Sequence, residues 1–342
     1  MKTDRRRFAK ITSTYPGLRI AILGDFCLDR YLEIDPGLQE VSIETGLPVY
    51  NVVNVRAQPG AAGTILNNLV ALGIGEIHPI GFHGLDGEGY ELKRALETKS
   101  GVVLDRFFAT DLRRTFTYCK PLIVQPGKPP RELNRLDTKN WTPTPPALED
   151  RLIDALQSAA KCVDAIIVLD QVDIPNTGVV TKRVLDALGA IVEEKPELLV
   201  IADSRRGLRG YPRVTLKMNA AELSALTGTP KSPDLDQIKN TISDLATKQQ
   251  RCVFVTLAEQ GIAGAAPDGS VEHVPALPIR GEIDIVGAGD AVTANLASAL
   301  AGGATLREAM EIANTAASVV IHQLGTTGTA SVAQISELMF NQ

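Results

Sequence analysis

Apolar and polar positions along this chain follow two periods. Five short runs, 19–24, 77–81, 165–169, 198–202 and 252–257, are nearly continuous in Val, Ile, Leu and Ala. Runs of that length and character predict strands covered on both faces. Between them lie amphipathic patterns of helical period at 61–72, 87–97, 147–159, 179–192 and 233–249. Strands alternating with helices predict an α/β fold built on a parallel sheet with right-handed crossovers. Segments 31–57 and 113–124 break the rhythm, being β-branched and punctuated where a crossover helix belongs. They predict a small extra sheet beside the main one. Such a sheet has one apolar face to hide, which suits a lid and a homodimer contact. The C-terminal portion reads as helices. One runs from Asp290 to Gly302-Gly303, and the next starts at a capping box, Thr305 with Glu308, and runs to about Gln323.

Composition narrows the functional classes. The chain has 342 residues, 35 Lys and Arg against 40 Asp and Glu, and a net charge of −5. No long basic run follows Arg5-Arg6-Arg7, which argues against nucleic acid or an anionic membrane as principal partner. The basic triplet is expected to be a solvated face. No apolar stretch follows it to form a signal peptide or a membrane span, so a cytoplasmic protein is expected. Cys27, Cys119, Cys162 and Cys252 are widely spaced, without a CxxC pair, and read as reduced thiols. The four histidines lack metal-ligand spacing, so no structural zinc is expected.

The most informative stretch is Asp284-Ile-Val-Gly287-Ala288-Gly289-Asp290. A Gly/Ala turn opening a helix aims backbone N–H groups, and the positive end of the helix dipole, at one point. A carboxylate in the first turn can then take a proton from a hydroxyl beside a bound anion. Phosphoryl transfer to an alcohol needs that pairing.

This stretch resembles the C-terminal signature of the ribokinase-like (PfkB) carbohydrate kinases, with Ile285 where the family usually has Thr. The resemblance implies that Asp290 is the general base. It also implies that Gly287, Ala288 and Gly289 form the anion hole. The stretch Pro59-Gly60-Ala61-Ala62-Gly63-Thr64, continuing through Asn68, is similar to the family's N-terminal signature, with Ala61 and Thr64 as departures. Small residues such as Gly60 let a sugar approach the backbone, and Asn68 can bond hydroxyls. Gly24-Asp25-Phe-Cys-Leu-Asp29-Arg-Tyr31 follows the first strand, where open α/β sheets bind ligands. Its wording resembles the heptose-phosphate kinase half of bifunctional ADP-heptose synthases. Asp29 is expected to bind sugar hydroxyls; Asp25 either does so or caps a turn. Asp170 ends a strand on the same side and is expected as a further hydroxyl ligand. That branch more often carries Asp-Pro-Lys where this chain has Asp203-Ser204-Arg205.

The remaining motifs point to the nucleotide. Asn219 and Glu222 form an Asn-x-x-Glu pattern, which is both a capping box and, in the family, a site near Mg2+ and the phosphates. A hard cation that keeps its waters would be met by Glu222 through water. Thr256, Gly261 and Asn314 are expected to border ATP. The resemblance spans about residues 17–331. It implies one ribokinase-like domain, 1–342, with a small β-sheet lid, acting as an ATP-dependent kinase of a sugar or sugar phosphate. D-glycero-D-manno-heptose 7-phosphate is the first choice of acceptor. The nucleotidyltransferase half of the bifunctional enzymes is not expected here. Another kinase of the family (ribose, fructose or nucleoside) and an idle sugar- or nucleotide-binding regulator are the alternatives.

Overall fold

Strand β1 (Arg19–Gly24) divides its side chains between two cores. Ile20 and Ile22 enter one, Ala21 and Leu23 the other. A strand alternates its faces residue by residue, so two buried faces require a continuous apolar run. The computed structural model describes residues 3–229, 233–325 and 327–341.

The chain opens with helix α1 (Arg5–Thr12) and then β1. Strands β2 (Phe26–Ile34), β3 (Glu40–Val41), β4 (Pro48–Val49) and β5 (Val52–Ala61) follow. Next come α2 (Ala62–Leu72), β6 (Glu76–Gly84), α3 (Gly87–Glu97), β7 (Phe107–Thr110), β8 (Thr117–Ile123), β9 (Arg131–Glu132) and β10 (Leu136–Thr138). The central part holds α4 (Pro146–Ala159), β11 (Ala165–Asp170), α5 (Lys182–Glu194), β12 (Leu199–Ser204), β13 (Thr215–Asn219) and α6 (Ala220–Thr227). The remainder is α7 (Leu235–Gln249), β14 (Val253–Thr256), β15 (Ile262–Ala265), β16 (Val271–Val274), α8 (Ala288–Ala301), α9 (Leu306–Val320) and α10 (Val332–Phe340).

Nine of these strands form the main sheet, in the order β16-β15-β14-β13-β12-β11-β1-β6-β7. The seven from β14 to β7 run parallel, and β15 and β16 extend it antiparallel. One core is filled by α2, α8 and α9 with the inner faces of α1 and α10, the other by α4, α5 and α7. Burying a Leu or Ile side chain is worth roughly 1.5–3 kcal/mol, so these two layers supply most of the folding drive.

The small sheet has the order β10-β8-β2-β5, with β9 on β8. It is mixed: β2 pairs parallel with β8, and the β2–β5 and β8–β10 pairs are antiparallel. Asp25 alone separates β1 from β2, so the small sheet grows directly out of an interior strand of the main one. Parts of both expected segments lie in this sheet, whose strands reach Phe26 and Ala61, while β3 and β4 within 31–57 pair with each other in a separate two-stranded ribbon. No helix among the described residues is long and apolar enough to cross a membrane.

Several expectations need correction. Two residues of the basic triplet, Arg5 and Arg6, are exposed as expected, and Arg7 is the exception. The triplet opens α1, and Arg7 forms a bidentate pair with Glu308 at the start of α9. The strands β7, β13, β15 and β16 escaped the apolar-run criterion. β15 reads Ile-Ala-Gly-Ala and has little bulk; β13 is interrupted by Lys217. Helix α5 starts at Lys182, three residues later than the pattern suggested, because Thr181 caps it. Helix α9 ends at Val320 rather than Gln323, and α10 begins at an unforeseen capping box, Ser331 with Gln334.

Candidate active site

Two cavities meet at Gly289. The larger, about 900 Å³, is lined by Asn219, Thr256, Gly261 and Asn314 together with apolar side chains such as Ile279, Val292 and Ile321. The smaller, about 260 Å³, is lined by Asp203, Arg205, Glu222 and Asp290, with Leu169 and Gln171. Gly289 lines both. Of the five residues expected at the nucleotide, four share the larger cavity, and Glu222 lines the smaller one. An apolar cleft with a few convergent polar groups suits a nucleoside.

The junction is the N-terminus of α8. Gly287 caps the helix with φ +83°, a conformation that glycine adopts without strain. The Asp284 carboxylate holds the preceding turn by accepting the Val286 N–H at 3.0 Å. The Ala288 N–H donates to Ile285 O at 3.2 Å and is spent within the turn. That corrects its expected place in the anion hole. Among the described residues no acceptor takes the N–H groups of Gly287, Gly289 and Asp290.

Asp290 stands in the first turn of α8, at the wall of the smaller cavity. Burial pushes its carboxyl up to about 7, with Asp203 and Asp29 adding and the Lys217 ammonium opposing. A carboxyl poised there suits proton abstraction at neutral pH.

Asp29, on β2, is buried and 3.5 Å from Lys120 Nζ of β8. Burial raises its carboxyl and Lys120 pulls it back. Gly60 makes room for it, because a Cβ there would lie 2.6 Å from Asp29 Oδ2 and 2.8 Å from Cys27 Sγ. Gly60 thus acts through Asp29 as well as through its own small size.

Three expected ligands are engaged elsewhere. Asp25 accepts the backbone N–H groups of Gln171, Val172 and Val179, at 2.8, 3.3 and 2.7 Å. Its carboxylate staples the 171–179 loop to the end of β1. Asn68 is 0 % exposed on α2 and donates to Thr64 O. It is enclosed by the core and reaches neither cavity. Asp170 Oδ2 accepts from Ser204, Arg206 and Tyr211, while Oδ1 has no partner. Burial, with Asp25 beside it, brings the Asp170 carboxyl up to about 6.

Asn219 and Glu222 form a reciprocal capping box at α6. Burial raises the Glu222 carboxyl, and the Asn219 N–H opposes the shift. Among the described residues no group of three or more His, Cys, Asp or Glu stands ready to hold a metal directly. The donors at hand, Glu222 and Asp203, suit a hydrated hard cation rather than a protein cage.

Two lysines were missed. Lys120 sits in the lid beside Asp29. Lys217 sits in β13, where its Nζ is 2.6 Å from Asp203 Oδ2. The signal for Lys217 was its alternation with Leu216 and Met218, which point into the opposite core.

Comparison with known proteins matches this arrangement. The family model described as pfkB family carbohydrate kinase matches residues 191–333. The bifunctional protein HldE of Rhodospirillum rubrum is 31% identical over 319 residues, 93% of this chain and 62% of the relative. That of Azorhizobium caulinodans is 32% identical over 90% of this chain and 61% of the relative. The chain thus spans about three fifths of the length of these relatives. Arabidopsis thaliana ribokinase, solved with ribose and ATP, shares the fold at TM-score 0.67 and 19% identity, over 94% of this chain and 99% of that one. Escherichia coli phosphofructokinase-2, solved with potassium, does so at TM-score 0.71 and 16% identity, over 94% and 98%. Residues 191–333 thus carry the pattern of the pfkB carbohydrate kinase family, and the chain is similar to the HldE relatives along most of its own length.

Proposed function

We propose that this chain, acting as one kinase unit, transfers the terminal phosphoryl group of ATP to a hydroxyl of a sugar or sugar phosphate. The observation that carries the reading is the meeting of the two cavities at Gly289, beside Asp290. ATP occupies the larger cavity, along Asn219, Thr256, Gly261 and Asn314. Its terminal phosphoryl lies at the free N–H groups of the α8 turn. The acceptor hydroxyl enters the smaller cavity and gives its proton to Asp290. Its oxygen bonds to phosphorus as the bond to ADP breaks. Positioning and charge neutralisation carry most of such a reaction. Glu222 would hold Mg2+ through water, and the ion would supply charge neutralisation at the phosphates.

A sugar that already bears a phosphate is the favoured acceptor, with D-glycero-D-manno-heptose 7-phosphate as first choice. Three cations support this. Arg135 and Lys139 lie over the Tyr118 ring at 4.8 and 5.9 Å, and Arg205 is tied to Asp173, which also holds Lys139. Tyr118 and Arg205 flank the acceptor side through Gln171. Such a cationic rim suits a second anionic group.

The lid also offers a surface for a second copy. On its outer strand β5, Val52, Val53 and Val55 are 43, 50 and 46 % exposed. We place the protein in the cytoplasm as a homodimer joined through this sheet.

ADP release from Mg-ATP against a panel of acceptors tests the assignment. Turnover is expected with the heptose phosphate. Turnover on a nucleoside and on no sugar overturns the acceptor class. Nucleotide binding without turnover on any acceptor makes the chain a binding relative instead.

A further inference from the structure

Lys217 is 5 % exposed in the interior of a parallel sheet. Its strand neighbours Leu216 and Met218 point into the core under α5 and α7. Alternation turns Lys217 to the other face, where α8 packs. The register pairs Ala202 with Leu216, so Asp203 and Lys217 are adjacent on that face. Lys217 Nζ meets Asp203 Oδ2 at 2.6 Å, and Thr293 of α8 donates to the same oxygen at 3.1 Å. Among the described residues Asp203 is its only recorded hydrogen-bond acceptor. An ammonium has three N–H bonds, so two are unspent.

Gly289 is the close neighbour of this ammonium. A Cβ on that residue would lie 3.1 Å from Lys217 Nζ. The ammonium is therefore packed against the α8 turn, at the point the two cavities share. Asp203, Glu222 and Asp290 line the smaller cavity together with Arg205, whose guanidinium is paired with Asp173, and Asp29 acts on Asp290 from the lid side. A phosphate arriving among four carboxylates meets repulsion unless a cation lies beside it. A buried lysine paired with one carboxylate also costs desolvation that a single ion pair does not fully return. A charge kept under those terms, with donors to spare, is placed for a ligand.

We propose that Lys217 is a catalytic residue that grips the terminal phosphoryl group of ATP, forming the cationic wall of the site opposite the free N–H groups of Gly289 and Asp290. The inference rests on the kinase reading given above. As the phosphorus changes partners from the ADP oxygen to the acceptor oxygen, Lys217 stays protonated and donates to its equatorial oxygens. Burial tends to lower the ammonium, and Asp203 overcomes this and holds it above its ordinary value, so it remains charged. Its spent bond to Asp203 fixes its aim, and Thr293 fixes Asp203.

The test compares ATP and ADP binding, with Mg2+ and without acceptor, in wild type, K217M and K217R. A lost charged hydrogen bond to the terminal phosphoryl is expected to weaken ATP about tenfold or more in K217M, and ADP less than about twofold. K217R is expected to recover part of the difference. At saturating ATP and acceptor, kcat of K217M is expected to fall about 100- to 1,000-fold. If K217M does not fold, because Asp203 is left buried and unpaired, the double variant K217M/D203N removes both charges and takes its place. Equal losses for ATP and ADP, or none for either, overturn the role of Lys217 and leave the kinase reading standing on wild-type turnover. A wild type that discriminates ATP from ADP through Lys217 but phosphorylates nothing sinks the kinase reading and keeps the phosphate contact. A wild type that binds neither nucleotide overturns both.

Discussion

Asp29 Oδ1 lies 3.5 Å from Lys120 Nζ, joining a carboxylate on β2, the strand that continues from β1 of the main sheet, to an ammonium on lid strand β8. Tyr31 adds to the hold, its ring lying 4.8 Å from the same ammonium and its hydroxyl accepting from it at 3.3 Å. The pair ties lid position to the carboxylate expected to meet the sugar. Lys120→Met leaves Asp29 buried without its counter-charge. It is expected to cost about 1–3 kcal/mol of stability, since removing one partner of a buried pair is worse than removing both. KM for the acceptor is expected to rise more than KM for ATP. Denaturant melts and steady-state kinetics check both halves, and an ATP effect equal to the acceptor effect would detach the lid pair from sugar binding.

Asp290→Asn separates chemistry from stability. Loss of the base is expected to lower kcat about 100- to 10,000-fold, with ATP affinity retained. In the wild type, kcat/KM is expected to rise with pH through about 7, as the carboxyl ionises. Stability moves the other way. The folded carboxyl titrates near 7 against an ordinary 3.8, so the fold favours its protonated form. That contribution is present in full below about pH 4 and is lost as pH rises through about 7. At pH 8 the neutral amide is therefore expected to be more stable than the wild type by about 1–2 kcal/mol, after allowing for the solvent that reaches the cavity wall. At pH 4 the gap is expected to close. Melting temperatures at the two pH values read this directly.

How much of this was written in the sequence depends on what each residue answers to. The turn before Asp290 was legible because glycine at a helix start has a local cause. The strands whose faces are both apolar were legible for the same reason. β13 was not, because Lys217 interrupts its pattern, and that lysine is placed by the site rather than by the core. Its pairing with Asp203 depends on the register of β12 against β13, which no local pattern fixes. Asp25 and Asn68 were read as ligands, since a polar residue near a cleft looks alike whether it faces solvent or backbone. The N–H donors to Asp25 lie 146 to 154 residues further along the chain, and only folding brings that loop back.

Asp25→Ala tests the staple. The change strips three N–H groups of their acceptor at the end of β1. Each unmade bond to a buried donor costs about 1–3 kcal/mol before any rescue by water. A loss of about 3–5 kcal/mol is expected, enough to threaten the fold. Asp25→Asn retains an acceptor oxygen but sets an amide N–H against a backbone donor, and is expected to lose about half as much. At a temperature where Asp25→Asn stays folded, KM for the acceptor is expected within about twofold of wild type, since the residue holds a loop. A tenfold rise in that KM without loss of stability would restore Asp25 as a sugar ligand.

Ala61 carries φ +52° and ψ −116° at the N-cap of α2, a region that side chains with a Cβ rarely enter. This is the position where the family signature has its second glycine. The backbone keeps the shape that glycine would allow, pinned by the Ala62 N–H donating to Asp25 O at 3.1 Å and by the β2–β5 pairing that reaches Ala61 itself. Strain at such a residue is worth about 1–3 kcal/mol. Glycine would remove it, at a cost of about 0.5–1 kcal/mol in unfolded-chain freedom. Ala61→Gly is therefore expected to stabilise the protein by about 1 kcal/mol, a rise of a few degrees in Tm for a chain of this size. A fall in Tm would show that the Ala61 methyl, packed beside Cys27, Phe116 and Tyr118, contributes more than the strained backbone costs. Ala61 would then count as an adaptation of the lid rather than as a tolerated departure.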